Sequence, residues 1–448
     1  MHKITLEDFS GVDFGDIRRE KRFISILNNV SNQPGSSIPK QTDSWYDAKA
    51  TYNFFKNDEV SLAALQKALM HYGVKQIGNE NSLLILHDIS NISFNDLEAE
   101  GLGYLDSKEG RGILCYSSMA ATPDGNPLSL LYQQTWVRPL DQLGKGEKRK
   151  ERSFEDKESY RWYEGMQETT KLLGDTIHKI HIADRQADIY DIFFTGYEPN
   201  TDLLIRAGYN RKSSEGNPVW DLVGEQPPVA AITLEIPDVT GKNRQAIPAQ
   251  VRYQQVKILR PSRSENQFES IMLTAIEIKE DSVSTRKDED KIHWKLLTTI
   301  EVESVTAALQ CVKWYTYRWL IERFHYVLKS GTRIEDLQLK QSESLQKAIT
   351  VYSLAAFRIM QLVYDSRFHP TVSCEIALTP TQWKVLYILI HKKKQTPTQP
   401  PSLGQAVSWI GKLGGHLGRK SDGPPGLKTV WLGYAKLTNA TLLYEITS

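Results

Sequence analysis

A chain of 448 residues, 24% charged and 40% hydrophobic, has the composition of an ordinary globular protein and material for about three domains. Its 55 Lys and Arg against 54 Asp and Glu leave a formal charge of +1, which neither selects nor excludes a nucleic-acid partner, because a basic groove and an acidic site cancel in such a sum. Cys115, Cys311 and Cys374 make no zinc-ligand pattern and point to a reducing cytoplasm; the opening MHKITLEDFSGVDFGD lacks the apolar run of a signal peptide. The longest apolar stretch, Ala348 to Tyr364, carries Arg358 and Gln361 and reads as a buried helix, not a membrane span.

Residues 1–65 read as mainly helical. FGDIRREKRFISILNNV sets Arg18, Arg19 and Arg22 beside Phe23, Ile24, Ile26 and Leu27, with Asp16 as its N-cap. A basic edge of this kind suits DNA, and it also describes many surface helices. A Pro/Gly/Ser loop and a second helix, SWYDAKATYNFFKN, follow. SLLILHD predicts a short buried strand ending in Asp88, and GILCYSSMAATPDGNPLSLLYQQTW a hairpin around its Pro-Asp-Gly-Asn turn. HKIHIAD alternates its isoleucines into a strand ending at Asp184, after which RQADIYDIFF reads as helix; Leu203 to Ile205 make another strand. Between about 211 and 302 the composition turns to β, an insertion in a domain that began α/β. WYTYRWLIERFHYVLK, from Trp314 to Lys329, has no Gly or Pro and predicts one helix with Tyr315, Arg318, Glu322, Tyr326 and Lys329 on a narrow face. DLQLKQSESLQKAITVYSLAAFRIMQLV reads as a helical pair, and a helical tail with a basic, Pro-rich loop completes the chain.

Asp88 and Asp184 each follow an apolar strand, and the ends of neighbouring strands in an α/β sheet are where ligands gather. Should the two strands be neighbours, Glu322 can join them from a packed helix. Three such carboxylates repel when ionised, a divalent cation relieves that repulsion, and oxygen-only ligation favours magnesium or manganese over zinc. The simpler alternatives are a turn or helix N-cap for each aspartate and an i,i+4 ion pair with Arg318 for Glu322.

The spacing Tyr315-x2-Arg318-x3-Glu322-x6-Lys329 resembles the YREK signature of the IS-four-type DDE transposases, with LHDIS around Asp88 and ADRQADIY around Asp184 resembling the two aspartate motifs. FGDIRREKRF, QTWVRP, KESYRW, LIRAGYNRK, WKLLTT and TPTQWKVL have counterparts in the same order. The resemblance implies an α/β, RNase H-like catalytic core with a β-rich insertion, flanked by helical N- and C-terminal domains. On that reading residues 1–65 bind DNA ends, 66–370 form the core with the insertion at about 211–302, and 371–448 form a helical dimerisation domain. Asp88, Asp184 and Glu322 would hold two Mg2+ ions, with Mn2+ as a substitute, for nicking, hairpin formation, hairpin opening and joining of the 3′-OH to target DNA. Trp294 would hold a flipped base, with a packed strand residue as its alternative, while Tyr315, Arg318 and Lys329 would bind the phosphates around that base. Arg206, Asn210 and Arg211 fall where further end contacts are expected, and Trp319 serves either core or DNA. Ile89 departs from the small hydroxyl residue that the resemblance leads one to expect after Asp88. The implied partners are double-stranded DNA and a second copy of the chain, with no membrane. The rivals are a nuclease of the same fold that cuts without joining and a DNA-binding regulator that has lost catalysis.

Overall fold

The computed structural model describes residues 2–9, 11–106, 110–142, 153–237, 244–262, 264, 266–281, 291–419 and 422–447. It begins with helices α1 (Ile17–Asn32), α2 (Ile38–Gln41), α3 (Trp45–Lys56) and α4 (Leu62–Ile77). Asp16 caps α1 as expected, its Oδ1 accepting the Arg18 amide at 2.8 Å, and Ser44 and Ser61 do the same for α3 and α4. Core elements follow: β1 (Ser82–Ser93), β2 (Gly103–Tyr104), β3 (Arg111–Ala121), β4 (Pro127–Trp136), α5 (Tyr160–Leu173), β5 (His178–Ala183) and β6 (Thr201–Arg206).

The strand order is β4-β3-β1-β5-β6, with β1, β5 and β6 mutually parallel and β3 antiparallel to both of its neighbours; short β2 borders β3 on the β4 side. A meander followed by two parallel crossovers in this order is the RNase H-like arrangement. The insertion contributes α6 (Val219–Glu225), β7 (Ala230–Pro237), β8 (Arg244–Leu259), β9 (Ser270–Glu280) and β10 (His293–Thr298). It does not stand apart: β10 pairs antiparallel with β6, so β10-β9-β8-β7 extends the core sheet. Helices α7 (Val305–Thr316), α8 (Trp319–Tyr326), α9 (Ser342–Phe368), α10 (Pro380–His391), α11 (Leu403–Leu413) and α12 (Leu427–Thr447) complete the chain. Among the described residues no helix is long and apolar enough to cross a membrane.

The alternation of β1, β5 and β6 sorts their side chains onto two faces. Leu84, Leu86, Ile180, Ile182 and Leu204 join the core shared with α1, α8 and α9, while Leu203 and Ile205 lie on the opposite face with Trp162 and Met166 of α5.

Four expectations change. Strand β1 does not stop at Asp88 but runs to Ser93, because β3 pairs with it along that whole length. RQADIYDIFF forms 3-10 turns rather than an α-helix, and Asp188 is drawn out of it to bind the loop after β6, accepting the amides of Gly208 and Tyr209 at 2.7 and 3.0 Å. The expected helical pair before the tail is one 27-residue helix, α9, after a short turn.

The long helix is also divided. Between α7 and α8 the bonds tighten to the i→i+3 pattern at Tyr317, Arg318, Leu320 and Ile321. The β3–β4 turn lies beneath this break: Trp314 Nε1 donates to the Pro123 carbonyl at 3.1 Å. Gly125 in that turn has φ +93°, and a Cβ there would come within 2.5 Å of the Tyr317 ring. Past α8 the helix widens into a π turn, Val327–Gly331, a form that recurs at functional sites.

Candidate active site

Register places the key residues in a row. Leu86 pairs with Ile182, and Ile182 with Leu204, across three parallel strands. Two residues further along each strand, on the same face, stand Asp88, Asp184 and Arg206. Helix α8 packs across β1 and β3 above this row and brings Glu322, Arg318 at its N-terminal boundary, and His325.

Each carboxylate has a distinct environment. Asp184 caps the turn after β5, its Oδ1 accepting the Gln186 amide at 2.8 Å; the capping alternative is therefore true of it, and it leaves Oδ2 outside that bond. Burial, together with the charge of Asp88, raises the Asp184 pKa, while the Gln186 amide, Arg318 and Arg185 pull part of that back. Asp88 stands opposite Ser117 of β3, and its Oδ2 lies 3.3 Å from His325 Nδ1. His325 Nε2 in turn lies 3.4 Å from Ser117 Oγ. His325, three residues after Glu322, lies on the same side of the helix, a spacing that by itself marks it as a neighbour of the site. Glu322 is exposed and pairs with the Arg318 guanidinium.

Arg318 links the helix to the row. Its side chain is 11% exposed. Burial alone would lower its pKa, but Glu322, Tyr315 and Asp88 more than offset that. Its Nε is buried without a hydrogen-bond partner, a costly state that a substrate oxygen would relieve. Tyr315 is buried, which raises its phenol pKa, and Arg318, Arg206 and Asp184 are its charged neighbours. Lys329 is half-buried on the same side of the sheet, near Cys115.

Other predicted residues are placed differently. Trp294 of β10 is 7% exposed, its ring centroid 5.2 Å from Tyr315 and 6.4 Å from the half-buried Trp319 in edge-on contacts. This is the packed alternative: the indole lies buried against two rings. Asn210 Oδ1 accepts the Trp220 amide at 3.0 Å, which fastens the start of α6. Arg211 donates to Asp188 Oδ1 at 2.6 Å and to its carbonyl at 2.7 Å, with side chains 11% and 0% exposed. Replacing Arg211 by alanine leaves the buried Asp188 charge without its cation and with only the Gly208 and Tyr209 amides as donors, so the unfolding free energy should fall by about 3–5 kcal/mol in urea titration. A loss under about 1 kcal/mol would instead put Arg211 at the surface, available to DNA.

In the N-terminal helices the basic edge is met by acids. Arg18 pairs with Asp16, Arg19 with Glu59 and Arg22 with Asp47. Trp45 and Tyr46, 67% and 79% exposed, project at the start of α3, with Lys49 over the Trp45 ring. Nothing in the apolar periodicity of that helix marks them as surface residues.

The residues present fit a divalent cation. Asp88, within β1, and Asp184, just past the end of β5, offer carboxylate oxygens from neighbouring strands, and Asp184, whose pKa is raised by burial and then by the charge of Asp88, carries a charge that a cation would offset. Among the described residues no three His, Cys, Asp or Glu side chains stand close enough together to hold an ion, so the three expected carboxylates are not gathered here; Glu322 is turned onto Arg318 instead.

Three family models match the chain: "transposase DNA-binding" over residues 1–60, "transposase DDE domain" over 195–358 and "transposase Tn5 dimerisation domain" over 354–442. The DDE match contains Glu322, while Asp88 and Asp184 precede it. The chain is also similar to one in a cryo-EM structure of the piggyBac transposase synaptic complex with hairpin DNA, at 8% identity and a TM-score of 0.40 over 97% of this chain and 73% of that one. With transposase DNA-binding, DDE and dimerisation models matched in that order along one polypeptide, the chain belongs to the DDE transposases and resembles the Tn5 transposase.

Proposed function

We propose that this protein is a cut-and-paste DNA transposase that binds the ends of its element, frees them through a DNA hairpin and joins the 3′-OH ends to target DNA. The observation that carries the reading is the row of Asp88, Asp184 and Arg206 on adjacent strands beneath Arg318 and Glu322. DDE transposases depend on divalent metal; here Asp88, Asp184 and Glu322 would hold two Mg2+ ions, or Mn2+, which lower the cost of charge on the attacking and leaving oxygens.

The chain's own groups supply the rest. Glu322 cannot serve an ion and Arg318 fully at once, so its departure frees the guanidinium to take a phosphate in a bidentate grip. Lys329 adds a point charge on the same side, Tyr315 a hydroxyl and Arg206 a cation at the end of the row. Nicking by water, attack of the freed 3′-OH on the opposite strand, opening of the hairpin and joining to target are all in-line displacements at phosphorus, so one site serves each. Residues 1–65, with Trp45 and Tyr46 on their surface, would hold the end, and residues 371–448 would pair two subunits. Most of the apolar residues in that last part belong to the subunit's own core, Trp383, Leu386 and Trp431 among them, but α12 exposes Leu432, Leu442 and Ile446.

Candidate transposon ends incubated with the protein and Mg2+, and resolved into nicked, hairpin and joined products, test the reading. A pre-cut end offered with plasmid target should yield joined product; cleavage without any joining would assign a nuclease instead. The ion site has an independent test in its pH dependence. Because the Asp184 pKa is raised, the ion-free fold holds that proton more tightly than the unfolded chain does, and the resulting stability is full in acid and lost as pH rises through the raised value. A divalent ion takes the proton's place. The thermal midpoint should therefore gain more from added Mg2+ at neutral pH than in mild acid, and an equal gain at both would put ion binding elsewhere.

A further inference from the structure

On the face of the sheet away from Asp88, two histidines meet. His87 of β1 and His181 of β5 are each 0% exposed, and His87 Nε2 lies 2.8 Å from His181 Nδ1. His87 Nδ1 lies 2.7 Å from the Tyr116 hydroxyl and 2.8 Å from Ser118 Oγ, and His181 Nε2 lies 2.9 Å from Thr170 Oγ1. Hydrogen bonds thus run without a gap from β3 through β1 and β5 to α5. Burial holds both imidazoles in the neutral form, with His181 lowered to about 3. With one proton per ring the bonds run either from the β3 hydroxyls towards Thr170 or in the reverse sense, and both senses satisfy every ring nitrogen.

The location of the pair gives it a role. The parallel ladder between β1 and β5 ends at Leu86 and Ile182. Beyond that rung β1 continues beside β3, whereas β5 ends at Ala183 and the backbone enters the turn that Asp184 caps. Asp88 and Asp184 therefore stand where the backbone ties between their strands have run out, and the histidine bond lies one residue before the first and three before the second. An apolar pair here would fill the space but set no distance, whereas a satisfied buried polar link specifies one geometry.

We propose that the His87–His181 pair is a positioning device for the ion site, clamping β1 to β5 so that Asp88 and Asp184 keep the separation that an ion requires. The proposal rests on the reading of those aspartates as ion ligands. Its test is a titration of the full chain with Mn2+ alone, following free ion by electron paramagnetic resonance, with urea unfolding measured in parallel. His87→Phe should weaken Mn2+ binding about 10- to 100-fold, as loss of an orienting partner does elsewhere. His87→Gln, whose amide keeps a donor near the place of Nε2, should recover most of it. Should His87→Phe fail to fold, His181→Leu and His181→Asn make the same comparison from the other strand. A His87→Phe or His181→Leu protein that unfolds more readily yet binds Mn2+ like the unaltered chain would make the pair merely structural and overturn the proposal, leaving the ligands in place. An Asp88→Asn protein that still binds Mn2+ as tightly would overturn the ligand reading, and the positioning role with it.

Discussion

Asp184→Asn is expected to remove end nicking and strand transfer together, by about three powers of ten, or ~4 kcal/mol of barrier at about 1.4 kcal/mol per tenfold. Asparagine keeps the side-chain oxygen that accepts the Gln186 amide, so the turn after β5 keeps its cap. It removes the charge that burial and Asp88 oppose, so the ion-free fold should be at least as stable as before. Loss of activity with an unchanged or raised thermal midpoint separates a ligand from a structural residue. Asp184→Ala would lose cap and ligand together, which makes it the less informative of the two. Unchanged end cleavage by the asparagine variant would remove Asp184 from the site.

Trp294→Ala should be costly to the fold. The indole is 7% exposed and touches Tyr315 and Trp319, two rings of the elements that carry Arg318 and Glu322. Truncation leaves a cavity there, and the loss in unfolding free energy should reach about 3–5 kcal/mol. In the fraction that stays folded at low temperature, hairpin formation should fall further than nicking, because only the hairpin needs a base out of the stack. An equal fall in both steps would make Trp294 a support for Tyr315 and Trp319 and nothing more. Trp294→Phe is a useful companion, since it restores much of the volume while offering a smaller stacking surface.

The contrast between these residues shows what a linear reading can reach. Asp88 is visible because the unbroken apolar run Leu83 to Leu86 stands in front of it, and Asp184 because Ile180 and Ile182 alternate before it; both patterns survive into the strands. That the two stand on one row, with Arg206 beside them, is a matter of register, which is decided between strands and has no local signature. The division of the predicted long helix was likewise illegible. The break meets a turn far upstream, where the Pro123 carbonyl accepts from Trp314, 191 residues later in the chain. Arg211 misleads for the same reason: a basic residue after a strand looks available to phosphate until Asp188, 23 residues before it, is found beneath it. His325 is the opposite case, a residue that helical spacing from Glu322 alone would have disclosed.

Helix α9 carries a consequence for any exchange of recognition modules between such proteins. It packs against α1, α3 and α4 on one side and against α8, α11 and α12 on others. Tyr352 reaches Gln41, and Lys347 reaches the Asn57 carbonyl. The first sixty residues are therefore not a detachable head whose replacement would merely retarget the enzyme. A graft from a relative inherits a mismatched seam along the same rod that braces the acidic helix, so new specificity should come with lost turnover until the rod's outer face is redesigned with it.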